Sequence, residues 1–191
     1  MPSCGAARIS TWATSTMPSR RSSSPRPSDS GGASPVSEFV LTVAERALLQ
    51  ALDALGVRYL VVGMGAALIE GAHGTTQDLD LWFGHIEPDH LIEAAKRAGG
   101  FYTSGMGLQP PTLGGEGLDR VDVVMSAQGL GSFEEEYARA REYEIDGVGV
   151  RVLPLERVIA SKRTANRPKD VAQLPLLEAA LAARRGTQEP P

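Results

Sequence analysis

Three aspartates occupy positions where a buried strand would carry apolar side chains. In "TTQDLDLWF" (75–83), Asp78 and Asp80 stand two residues apart among Leu79, Leu81, Trp82 and Phe83. Residues i and i+2 of a strand share a face, so the two carboxylates are expected to project together while Leu79 and Leu81 point the other way. Carboxylates a few Å apart repel, and one takes up a proton unless a cation lies between them. A hard divalent ion such as Mg²⁺ meets that need with carboxylate oxygens. Asp122 supplies a third carboxylate inside "DRVDVVM" (119–125), where strand propensity disfavours it. Three aspartates on adjacent strands could hold two Mg²⁺ ions about 3.5–4 Å apart, a geometry suited to in-line displacement at a nucleotide phosphate. An Asp-x-Asp alone marks a solvated strand edge or a turn just as well.

Two other features could meet a phosphate. Gly63-Met64-Gly65 ends an apolar run and opens a helical one, so free backbone N–H groups could face an anion there. The turn lacks the Gly-Lys-Ser/Thr of a P-loop, and no G-x-G-x-x-G is present. The second feature is "SKRTANRPKD" (161–170), which concentrates Lys162, Arg163, Arg167 and Lys169. The same residues also read as helix punctuation, with Pro168 in a first helical position and Asp170 in the first turn, complementing the helix dipole. His73 could touch a phosphate, whereas His85 and His90 read as surface residues. No histidine spacing suggests zinc, and "GMGAA" lacks the serine of a nucleophile elbow.

The elements that must position these groups follow from periodicity and punctuation. Val40, Leu41, Ala44, Leu48, Leu52 and Leu55 recur at helical spacing until Gly56. Strands are expected at 57–62, 77–83 and 119–125, and short or medium helices at 66–72, 88–98 and 132–141. A long Gly- and Pro-rich loop is expected at 103–118, and loops of this length are often functional. Residues 143–153 have the spacing of a hairpin around Gly147, and helices at 155–165 and 168–183 follow. The order predicts an α/β (α+β) domain, a sheet with helices packed against it. Trp82 and Phe83 belong to its core.

The 191 residues suffice for one domain, expected at 37–185. Residues 1–36 are Ser-, Pro- and Arg-rich and poor in apolar side chains, which predicts disorder. That segment could mimic a transit peptide, or reflect a true start at Met17 or near Val36. The tail from Gly186 is expected to fray. One cysteine, Cys4, excludes an internal disulfide and a cysteine zinc site, and a reducing cytoplasm is the simplest compartment. No run approaches the length of a membrane helix. Beyond residue 37 the chain holds 15 basic and 22 acidic residues, which argues against a broad nucleic-acid-binding face.

Taken in order, "YLVVGMGAALIEGAHGTTQDLDLWF", "RVDVVM", "SFEEEYARA" and "LERVIASKRTANRPKDVAQLPLLEAAL" resemble the nucleotidyltransferases of the DNA polymerase β superfamily. The resemblance is to the minimal bacterial group that includes the AbiEii-like toxins, and it spans about residues 37 to 183. It implies a mixed sheet flanked by helices and Mg²⁺-dependent transfer of a nucleoside monophosphate from an NTP. Asp78 and Asp80 would be metal ligands, and Asp122 the third ligand or general base. Gly63 and Met64 would lie at the nucleotide, and Lys162 and Lys169 would contact phosphate or acceptor. The acceptor could be a tRNA 3′ end, a protein side chain or a small molecule, in a toxin–antitoxin pair among other settings. Met64 stands where relatives carry a small residue, and Gly74 and Gln77 stand where they often carry basic ones. These departures favour the alternative, a catalytically degenerate fold that serves as a binding or antitoxin-type partner module.

Overall fold

A mixed five-stranded sheet carries the aspartates, and helices cover it. The computed structural model describes residues 39–106 and 109–188. The expectations for residues 1–36 and for 189–191 lie outside these residues.

Helix α1 (Val43–Ala54) starts at a capping box. The Thr42 side chain accepts from the Glu45 N–H at 3.1 Å, and the Glu45 carboxylate accepts from the Thr42 N–H at 2.7 Å. Strand β1 (Tyr59–Val61) leads into α2 (Gly63–Ile69), then β2 (Leu79–Phe83) and α3 (Pro88–Arg97). A two-stranded antiparallel ribbon, β3 (Phe101–Thr103) with β4 (Thr112–Gly114), precedes β5 (Val121–Val124) and α4 (Phe133–Arg139). The hairpin β6 (Arg141–Ile145) and β7 (Val148–Val152) turns on Asp146 and Gly147, both at positive φ as a two-residue hairpin turn requires. Helices α5 (Leu155–Ala165) and α6 (Pro168–Gln188) follow.

The sheet order is β5-β2-β1-β7-β6. The β5–β2 and β1–β7 pairs are parallel, and β2–β1 and β7–β6 are antiparallel. The expected mixed sheet with flanking helices is what the chain forms. Its core includes Leu48, Leu60, Leu79, Leu81, Phe83, Val152 and Leu155, each at most 1% exposed. Trp82 joins it, stacked edge-on against Phe133.

Of the boundaries that differ from the sequence expectation, three have a clear structural form. The segment 103–118 is not all loop, because Thr112–Gly114 pairs with Phe101–Thr103. Gly100 and Gly114 mark the close approach of these strands: a Cβ on Gly100 would lie 2.4 Å from the Gly114 carbonyl, and one on Gly114 would lie 2.6 Å from the Phe101 ring. Helix α2 begins at Gly63, so the glycines form its first turn instead of preceding it. Helix α6 continues through Gly186 to Gln188.

Buried glutamates tie the helices to the sheet. Glu70, 2% exposed at the end of α2, accepts from Arg141, the Tyr143 hydroxyl (2.5 Å), Arg184 (2.5 Å) and the Leu155 N–H (3.2 Å). Four donors from β6, α5 and α6 thus converge on one carboxylate. Glu70→Ala strips all four of their acceptor. It is expected to destabilise the fold by about 2–4 kcal/mol, less than for a fully buried pair because the arginines reach solvent. Urea unfolding monitored by circular dichroism measures this.

Candidate active site

The parallel β2–β5 ladder sets Leu79 beside Val121 and Asp80 beside Asp122. Paired residues on adjacent parallel strands share a face, so Leu79, Leu81, Val121 and Val123 point into the core, where all four are buried. Asp80 and Asp122 point together into a cleft of about 250 Å³. Asp78 lines the same cleft but precedes the strand. Its backbone is held by Thr76, whose hydroxyl lies 3.2 Å from both the N–H and the carbonyl of Asp78.

Burial pushes the Asp80 carboxyl up to about 6, and the charges of Asp122 and Asp78 add to the shift, while Lys162 and Lys169 pull the other way. The charges of both lysines therefore reach Asp80 across the cleft. The donor set consists of hard carboxylate oxygens held short of positive charge, which fits a divalent cation such as Mg²⁺. The expected compact trio is not formed, however. Among the described residues no three His, Cys, Asp or Glu side chains gather closely enough to hold a metal ion together. Asp78 lies outside the ladder, so the i, i+2 rule does not bind it to Asp80; Asp80 and Asp122 form the geometric pair.

Gly63 has a role that spacing alone did not suggest. Its φ is +63°, and a Cβ there would sit 1.9 Å from the Asp80 Oδ2. The missing side chain thus makes room for the carboxylate itself. Met64 lines the cleft yet is only 7% exposed. Its methyl end is gathered with Leu68 and Leu176 beside Gly74, where a Cβ would meet it at 2.9 Å.

The cationic wall comes from the α5–α6 elbow. Asn166 adopts a left-handed conformation, φ 48°, and ends α5, and Pro168 then opens α6. The sharp turn brings Lys162 back onto α6, where its Nζ donates to Asp170 at 2.9 Å and to Gln173 at 2.8 Å. Asp170, 4% exposed, is therefore more than helix punctuation. Lys162, Arg167 and Lys169 all line the cleft, but His73 does not. Sequence reasoning missed the far wall, Ser126 to Gln128 after β5. The Ser126 and Gln128 side chains make no hydrogen bond with any other described residue, so no motif marked them.

A comparison with family profiles and with curated proteins finds no match. Solved structures do match in shape. The solution structure of the antibiotic-resistance factor ANT(2'')-Ia aligns at a TM-score of 0.50 with 17% identity, over 75% of this chain and 90% of that one. The crystal structure of ANT(2'')-Ia in complex with adenylyl-2''-tobramycin aligns at 0.50 with 19% identity, over 73% and 88%. The chain has a nucleotidyltransferase-type fold. Within that fold, the cleft joins four aspartates, Asp78, Asp80, Asp122 and Asp170, to three cations.

The Asp80 shift has a consequence for stability. The ordinary carboxylate value is 3.8, so between pH 4 and 6 the folded chain holds a proton that the unfolded chain has lost. Stability therefore falls as pH rises through this window, by roughly 3 kcal/mol for a shift of about two units. In EDTA at pH 7.5, Asp80→Asn is expected to melt above the wild type, and the difference is expected to close toward pH 4. Calorimetric melting curves at the two pH values measure both.

Proposed function

We propose that the protein is a nucleotidyltransferase that moves a nucleoside monophosphate from an NTP to a hydroxyl acceptor. The observation that carries this reading is the Asp80–Asp122 pair, beside Asp78 and facing Lys162 and Lys169 across one cleft. Asp80 and Asp122 would hold Mg²⁺ as a pair, with Asp78 turning in to join them when metal binds and two ions the expected number. Bound there, the metal would neutralise the carboxylates and draw in the NTP phosphates. Lys169 and Arg167 line the cleft and supply positive charge to the triphosphate. Lys162, fixed by Asp170 and Gln173, presents its charge from a set position. Gly63 and Met64 line the end of the cleft beside Asp80.

In the transfer, the acceptor oxygen bonds to the α-phosphorus and the bond to the pyrophosphate oxygen breaks. The hydroxyl proton passes to the exposed Asp122 carboxylate, which acts as general base. The excess of acid over base beyond residue 37 favours a small neutral or cationic acceptor. The antibiotic-resistance factor's complex with adenylyl-2''-tobramycin has an acceptor of that kind. A tRNA 3′ end or a protein side chain, in a toxin–antitoxin pair of the AbiEii-like kind, are the other acceptors to test. No helix among the described residues is long and apolar enough to cross a membrane.

The alternative, a degenerate partner module, rested on Gly74 and Gln77, where relatives often carry basic residues, and on the bulk of Met64. The burial of its methyl end beside Gly74 supports the enzymatic reading over it.

Incubation with α-labelled NTPs, Mg²⁺ and separate pools of aminoglycosides, total RNA and lysate protein tests the proposal. Label is expected in one pool, and Asp80→Ala is expected to lower transfer by roughly 100-fold or more, as losing a charge-stabilising group does. Absence of label in every pool, with no Mg²⁺–NTP binding by calorimetry, overturns it.

A further inference from the structure

Arg120 stands at the entry of β5, two residues before Asp122. Its backbone carbonyl accepts from the Leu79 N–H at 2.7 Å, between Asp78 and Asp80. Its side-chain Nε donates to the Gln77 carbonyl at 2.6 Å, immediately before Asp78. One residue thus joins the strand that carries Asp122 to the backbone on both sides of Asp78. This matters because Asp78 lies outside the ladder, where no strand pairing fixes it beside Asp80.

Behind Arg120 lies Glu45, fully buried, with Oε1 3.6 Å from the Arg120 Nε. That oxygen has no hydrogen-bond partner, while the other caps α1 through the Thr42 N–H. The Thr42 hydroxyl in turn lies 3.3 Å from the Gly117 carbonyl, in the segment leading to Arg120. A buried carboxylate with a free oxygen attracts the guanidinium, and the capping box fixes where that carboxylate sits. The start of α1 is thereby braced against the start of β5.

We infer that Arg120, backed by Glu45, is a positioning residue that anchors the backbone on both sides of Asp78 at the cleft, so that the Asp78 carboxylate can turn onto a divalent cation bound by the Asp80–Asp122 pair. This rests on the metal-dependent reading above. Arg120 touches no reacting atom; it acts through the Gln77–Leu79 backbone.

Mn²⁺ binding to the full chain, read from the electron paramagnetic resonance signal of the free ion, tests this without any turnover. Arg120→Ala is expected to raise the Mn²⁺ Kd about tenfold, the scale on which supports behind metal ligands act. Arg120→Lys keeps a charge facing Glu45 but lacks the Nε–H that donates to the Gln77 carbonyl, and its Kd is expected to lie between. A merely structural role would lower the melting temperature and leave the Kd of the folded protein unchanged, and that result overturns the inference. Where Arg120→Ala does not fold, Arg120→Lys decides by the same criterion. Loss of binding in Asp80→Asn with full binding in Arg120→Ala rejects the positioning role alone, whereas a wild type that binds no Mn²⁺ rejects the metal reading itself.

Discussion

The side-by-side placement of Asp80 and Asp122 is the constraint around which the domain is organised. Parallel pairing of β2 with β5 leaves no freedom in it, because the register that aligns Leu79 with Val121 also aligns the two carboxylates. The apolar halves of both strands hold that register. Burying Leu79, Leu81, Val121 and Val123 contributes about 1.5–3 kcal/mol each, so the four together exceed the roughly 3 kcal/mol that ionising Asp80 costs. The strands can therefore carry a repulsive pair on one face because the other face over-determines their alignment. Gly63 leaves the space that Asp80 fills, and the α5–α6 elbow brings countercharge to the open side.

The same logic recurs away from the cleft. Glu45, Glu70 and Glu136 are all but fully buried, and each faces arginine from an element distant in the chain. Glu136, for example, joins α4 to α5 through Arg157 at 2.8 Å and also accepts from the Gly131 N–H at 3.1 Å. Such contacts are directional where apolar packing is not. They fix which helix end meets which strand, and so fix the cleft walls relative to one another.

Much of this was legible in the sequence because its signals are local. The Asp-x-Asp, the valine run around Asp122, the Asp-Gly hairpin and the Asn-Arg-Pro elbow each have a short-range cause. The pairing of β3 with β4 was not legible, since Gly114 read as a loop residue until its backbone is seen to meet Gly100. Asp78 was placed on the strand by period-two counting, but β2 begins one residue later. The grip of Asp170 on Lys162 depends on two helices folding back on each other, a fact of tertiary geometry. Arg120 and Glu45 lie 75 positions apart in sequence and carry no motif, so only the fold brings them together.

The segment from Ser126 to Gln128 has a consequence of a different kind. Asp80 fills the space left by Gly63, and Lys162 is held by Asp170 and Gln173, so replacing any of these disturbs its neighbours. The Ser126 and Gln128 side chains border the same cleft without commitments to the described structure. Substitution there alters what enters the cleft while leaving the strands beneath it undisturbed. The shape of that wall can thus vary without moving the carboxylates opposite it.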